Sequence, residues 1–241
     1  METLEIYLNS KTARQNSETS NCYFDIPNID IDSSEQVYIG VRNSTIPYSW
    51  YNVNSNNNIV NFMLNNISIS VTLTEGNYNV NTLGVEFFNQ TGITISYQKS
   101  TNKYLFSHLT SDFTIYKTST ALELFGLTEV INHHSFNKNI ISDIGINLFT
   151  VRQIYVTSDN FILNNINAST HSNANILCSI QVTGNPNSIT HYENTTAKHL
   201  IHHLNNISNL HIKLTDQDGN RLHLNGVHWS MTLQLYIIKK I

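Results

Sequence analysis

Residues 227–240 read VHWSMTLQLYIIKK, and they alternate. Val227, Trp229, Met231, Leu233, Leu235 and Ile237 fall on one side; His228, Ser230, Thr232, Gln234 and Tyr236 fall on the other. A period of two belongs to a half-buried β-strand, because successive side chains leave opposite faces of the pleat. At ~3.4 Å per residue this strand runs on the order of 40 Å. The pattern recurs in ISISVTL (67–73), which is expected to turn Ile67, Ile69, Val71 and Leu73 inward, and in NILCSIQV (175–182), with Ile176, Cys178, Ile180 and Val182. Further strand candidates lie at 4–8, 22–26, 35–45, 58–64, 93–97, 103–109, 112–117, 148–157 and 209–215. Many short strands separated by polar turns predict an all-β antiparallel sandwich or barrel rather than a parallel sheet.

Two helical pieces interrupt the strands. In EGNYNVNTLGVEFFNQTG, Val80, Leu83, Phe87 and Phe88 share one helical face, Asn79 or Asn81 stands at the start and Gly92 just past the end. In TALELFG, Thr120 and Glu123 have capping-box spacing and Gly126 ends the turn. Pieces this short need a sheet to lie on. TDQDGNRLHLNG reads as a hairpin turn at Asp216, Asp218 and Gly219. Residues 158–175 and 184–208 are rich in Asn, Ser and His. The reading is therefore one domain over 1–241, with 158–208 as a loop-rich insertion.

Composition narrows the function. Charged residues are 12% of the chain, about half the usual ~25%, while Asn alone occurs 36 times. A neutral polar surface repels its copies weakly, which favours association. The net charge of −4 and the lack of a Lys/Arg cluster beyond Lys239-Lys240 argue against nucleic acid. Cys22 and Cys178 make neither a disulfide framework nor a metal spacing. METLEIYLNS is already strand-like and lacks the apolar run of a signal peptide, and no stretch approaches a membrane span. Six N-x-S/T sequons occur, a number that the Asn, Ser and Thr content explains by chance.

The corner IPYSWYNVNSNNNIV (46–60) links two strand candidates. Pro47 ends or bends the first strand. Tyr48, Trp50 and Tyr51 are large apolar bodies with polar tips, suited to a packed corner, a subunit interface or a sugar-binding platform. Together with LTEGNYNVNTLGVEFFN, ISYQKSTNKYLFS, STALELFGL and LTDQDGNRLHLNGVHWSMTLQLYI, in this order, the corner resembles the minor capsid, or penton, proteins of polinton-like viruses, virophages and related large DNA viruses. The resemblance spans most of the chain, least of all 158–208. It implies a single jelly-roll of two four-stranded antiparallel sheets. It also implies a structural protein of the virion, five copies of which close an icosahedral vertex beside a double jelly-roll major capsid protein. Tyr48, Trp50 and Tyr51 are then candidate interface anchors.

Candidate chemistry is sparse. His199, His202 and His203 in KHLIHHL have metal-like spacing on a helix, with His191 or Glu193 as further ligands, but abundance explains them as well. His133-His134 is a weaker signal. DQDG lacks the later oxygens of a calcium loop. The few, scattered carboxylates nominate no facing pair, and no nucleophile elbow, P-loop, H-E-x-x-H or C-x-x-C is present. The chain is expected to be no enzyme, with no cofactor and no metal. The alternative reading is a trimeric attachment head or other carbohydrate-binding β-sandwich, against which stands the lack of any shaft-like repeat before the domain. Eleven His also raise the expectation of pH-sensitive assembly.

Overall fold

The computed structural model describes residues 2–14, 18–163, 165–167, 172–173, 175–196, 198–202 and 205–240. In chain order the first strands are β1 (Glu2–Asn9), β2 (Asn21–Asp30) and β3 (Glu35–Pro47). Next come β4 (Ile59–Leu64), β5 (Ile67–Thr72), helix α1 (Val80–Thr91), β6 (Thr94–Gln98), β7 (Lys103–Ser107), β8 (Phe113–Ile115), β9 (His133–His134) and β10 (Asn139–Ile141). The chain closes with β11 (Gln153–Thr157), β12 (Ile166–Asn167), β13 (Ser172–Asn173), β14 (Ile176–Gln181), β15 (Ile189–Glu193), β16 (His199–Ile201), β17 (Asn206–Thr215) and β18 (Ser230–Lys239). It divides into two compact units, one made of Met1–Trp50 and Val151–Ile241, the other of Tyr51–Thr150.

The first unit is a jelly-roll sandwich. One sheet has the order β1-β18-β3-β15, with β16 also on β3; the other has the order β14-β11-β17-β2. All these pairs are antiparallel. β15 pairs with residues 43–47 of β3 and β16 with residues 37–39, so the two are pieces of one broken strand. Counted so, each sheet is four strands deep. Apart from β11 and β14, which pair within one sheet, successive jelly-roll strands cross from one sheet to the other, as in a double Greek key. The pattern in 227–240 explains why: Met231, Leu233, Leu235 and Ile237 of β18 meet Ile154, Val156, Ile212 and Leu214 of the facing sheet in one buried core. Phe24 and Trp229 meet edge to face at 6.1 Å. Both thiols are buried, and desolvation raises the Cys22 pKa to about 11.

Tyr51–Thr150 holds a core of its own. A sheet ordered β5-β4-β8-β9 and a sheet ordered β10-β7-β6 accompany α1. Phe87 of α1 meets Phe125 at 4.8 Å and Phe106 at 5.6 Å. Its buried residues, among them Phe62, Leu83, Phe106 and Phe125, share no member with the jelly-roll core. α1 starts as the sequence suggests: Asn79 Oδ1 accepts from the N–H of Asn81 and Thr82, completing a capping box with Thr82. It ends at Gly92, whose φ of 73° is left-handed.

Several local expectations give way to packing. Phe88 lies on the exposed side of α1, and Leu83, Gly84, Phe87 and Thr91 form its buried side. TALELFG yields one 3-10 turn at Glu123–Phe125 without a side-chain cap; Thr120 Oγ1 instead accepts from the N–H of Ile59 at 3.0 Å. Val227 stands outside β18 in a turn closed by its N–H to Leu224 O, and is exposed. Ile67 is 63% exposed because β5 is an edge strand whose end is unsupported; Leu73 is buried as expected. The segment 158–208, read as a loop-rich insertion, supplies β14, β15 and β16 to both sheets.

Candidate assembly surfaces

The aromatic corner is built from the end of β3. Pro47 is its last residue, and the chain is then tied across to the turn that precedes β15: the N–H of Tyr48 donates to Ser188 O at 2.8 Å and that of Asn187 to Tyr48 O at 2.9 Å. Ser49 Oγ donates to Leu224 O at 2.7 Å. Tyr48 and Trp50 stack with centroids 4.1 Å apart and interplanar angle 15°. They are 4% and 2% exposed, within the jelly-roll core. Burial raises the Tyr48 phenol pKa. Of the three corner aromatics only Tyr51 is half-buried, with surface left over. The packed-corner reading therefore describes Tyr48 and Trp50, whose rings offer no surface to a neighbour.

The Asn run beyond it is a hydrogen-bonded bend. Asn52 is buried and reads Tyr78 on both sides: Nδ2 donates to Tyr78 O at 2.8 Å and Oδ1 accepts from its N–H at 2.9 Å. Asn57 Oδ1 accepts from the Asn54 N–H at 2.7 Å, and its Nδ2 donates to Asn52 O at 2.9 Å. Amides in this run substitute for the backbone bonds that a turn leaves unmade.

The candidate metal residues do not share a helical face, since His199 lies in a strand. His199 in β16 bonds through Nε2 to Leu177 O at 3.1 Å, His191 and Glu193 lie in β15, and His203 lies outside the described residues. Among the described residues no three His, Cys, Asp or Glu side chains are placed to hold a metal ion. His133 is buried between Thr128 O at 2.8 Å and Asp143 Oδ2 at 3.3 Å. Asp216 of DQDG is occupied by its own turn: Oδ1 accepts from Asp218 N–H at 2.9 Å and Asn220 N–H at 2.8 Å, and Gly219 supplies the left-handed φ of 84°.

One polar cluster escaped the sequence reading. His211 of β17 is buried under Tyr23 of β2, the rings 3.9 Å apart and 8° from parallel. Its Nδ1 lies 3.0 Å from Asp159 Oδ2, and Nε2 lies 2.6 Å from Asn21 Oδ1. Lys213 pairs with the same Asp159 oxygen at 2.5 Å. Burial lowers the His211 pKa and outweighs the raising effect of Asp159; the Lys213 charge lowers it further. Burial works to raise Asp159, but Lys213 and His211 hold it below the usual carboxylate value. Only strand pairing brings these residues together, so no local spacing announces them.

Large apolar side chains at the surface gather in Tyr51–Thr150. Leu109 is 92% exposed, Phe136 81% and Val130 77%, with Val85, Ile131 and Phe149 also exposed.

No protein-family model and no curated protein matches the chain. Solved structures do. The crystal structure of the mavirus penton protein superposes with a TM-score of 0.55 over 99% of this chain and 100% of that one, at 9% identity. A chain of the Sputnik virophage structure, determined by cryo-electron microscopy, aligns with a TM-score of 0.46 over 100% of this chain and 98% of that one, at 14% identity. At the first of these identities the likeness is one of fold.

Proposed function

We propose that this chain is a structural protein of a virion: a penton-type minor capsid protein that assembles with copies of itself at icosahedral vertices and packs there against a major capsid protein. One observation carries the reading. The whole chain shares its fold with the mavirus penton protein, with almost nothing left over on either side. The jelly-roll order of the first unit and the poorly charged surface are consistent with it. The mechanism is tiling. In closed rotational symmetry each copy offers the same pair of patches, and a specific contact of this kind buries at least ~1,000 Å². In this reading Tyr48 and Trp50 hold the corner from the core, and Tyr51 is the corner residue with surface for a neighbouring copy. Multi-angle light scattering or native mass spectrometry of the purified chain tests the proposal. Five copies per particle are expected, and Tyr51→Ala is expected to lower that fraction with the fold retained. A monomer at every concentration overturns the reading, and a trimer favours an attachment head.

A further inference from the structure

The two jelly-roll sheets end in β1 and β15 and in β14 and β2, and these edges are not equally guarded. β2 carries Pro27 and a bulge in its pairing with β17, and β14 has a register shift against β11. Pro and bulges keep an edge from pairing with another chain. β1 and β15, at the two ends of one sheet, lack them. ETLEIYLN and ITHYE hold no Pro or Lys, and both pair with their inner neighbours in unbroken register.

The hydrogen-bond pattern sets what these edges offer. The Ser10 N–H donates to Trp229 O at 3.0 Å, so the even-numbered residues of β1 bond to β18. The backbone N–H and C=O of Thr3, Glu5 and Tyr7 therefore point away from β18. The Asn194 N–H donates to Arg42 O and the Tyr48 N–H to Ser188 O, both at 2.8 Å, so β15 likewise turns those of Ile189, His191 and Glu193 outward. Among the described residues no strand pairs with either edge and no backbone group bonds to these six residues. Leu8 and Thr190 turn into the sandwich, which places the side chains of the same six on its outer face.

Laid antiparallel, the two edges match in one register. Tyr7, 75% exposed, opposes Ile189, 52% exposed; Glu5 opposes His191, and Thr3 opposes Glu193. An aromatic and a β-branched side chain meet at one bonded position, a carboxylate and an imidazole at the next. A slip of two residues one way sets Glu5 against Glu193, and the other way sets it against Ile189. Two β1 edges paired over the same three residues put Glu5 against Glu5, which repels.

We propose that β1 of one copy adds, antiparallel and in this register, to β15 of the next, so that the sheets of neighbouring copies run on into one another. The inference rests on the self-assembly reading above and names its contact. Direction alternates along β1-β18-β3-β15, so a neighbour related by rotation about an axis along the strands presents its β1 antiparallel to β15. One edge meets a different edge, the head-to-tail contact from which closed rings are built. Backbone bonds supply affinity, and the opposed side chains fix the register.

The test is a disulfide trap on the full chain. Opposed residues in this register have Cα atoms about 5.5 Å apart, within disulfide reach. Tyr7→Cys combined with Ile189→Cys, oxidised by copper–phenanthroline, is expected to give covalent oligomers up to the closed ring on non-reducing gels. Either single variant, or Tyr7→Cys with Glu193→Cys, is expected to link roughly tenfold less. The native Cys22 and Cys178 are buried. Thr3→Pro and His191→Pro each remove one outward N–H and leave the ladders to β18 and β3 whole. Each is expected to raise the concentration for half-assembly by roughly tenfold, with far-ultraviolet dichroism unchanged. Oligomers that form without the Tyr7→Cys/Ile189→Cys link overturn this contact and leave the self-assembly reading standing, as do Pro variants that assemble like the parent chain. A chain that is monomeric at every concentration overturns both.

Discussion

Asparagine does much of the turning in this chain. Asn65, Asn66, Asn102, Asn137, Asn175, Asn187 and Asn225 all adopt positive φ, a region that costs most L-residues about 1–2 kcal/mol. Asn66→Ala is therefore expected to lower stability by about 1 kcal/mol, and Asn66→Gly to leave it unchanged, as read from urea midpoints. Trp50 makes the opposite point. Its neighbours Tyr48 and Tyr51 look alike in sequence, yet only the structure separates two core rings from a half-exposed one. Trp50→Ala is expected to cost about 3–5 kcal/mol and to broaden near-UV dichroism, which an interface-only residue does not do. His211 adds a pH dependence. With its folded pKa lowered beneath the unfolded value of about 6.5, the folded chain binds fewer protons than the unfolded one just below that pH. The contribution is present above pH 6.5 and lost as pH falls through the folded pKa. Urea midpoints are expected to drop between pH 7 and pH 5, and His211→Gln to flatten that slope.

At the level of elements, whatever carries its own signal was legible. β18 shows its period over ten residues, and α1 announces both ends, Asn79 as cap and Gly92 as the left-handed stop. Asn79→Ala is expected to cost about 1 kcal/mol, checked by thermal unfolding followed in the far ultraviolet. What could not be read are strands that exist because a partner does. β15 (ITHYE) and β16 (HLI) are short, with no alternation long enough to notice, and they are strands because β3 presents an edge of thirteen residues to them. Ile67 fails for the converse reason. The alternation of β5 is regular, but an edge strand offers nothing to bury its first residue against.

The scale of the whole molecule was the least legible. Antiparallel β architecture, sandwich or barrel, follows from period two; the jelly-roll comes only from the resemblance to penton proteins. The boundaries at Trp50 and Val151 have no linker composition to mark them, because each falls in a segment that packs. Two cores without a shared member predict two folding units. A chain in which a flexible Gly–Ser linker replaces residues 51–150 is expected to keep a cooperative transition and an all-β dichroism spectrum. Loss of cooperativity in that chain would show the second core to be required by the first.

The eight jelly-roll strands take no member from the hundred residues between Trp50 and Val151. Such a scaffold has a cassette slot. Selection, or an engineer, can exchange the cargo there for an unrelated one while leaving untouched the sequence that knits both sheets. Drift should therefore run at two speeds along this one polypeptide.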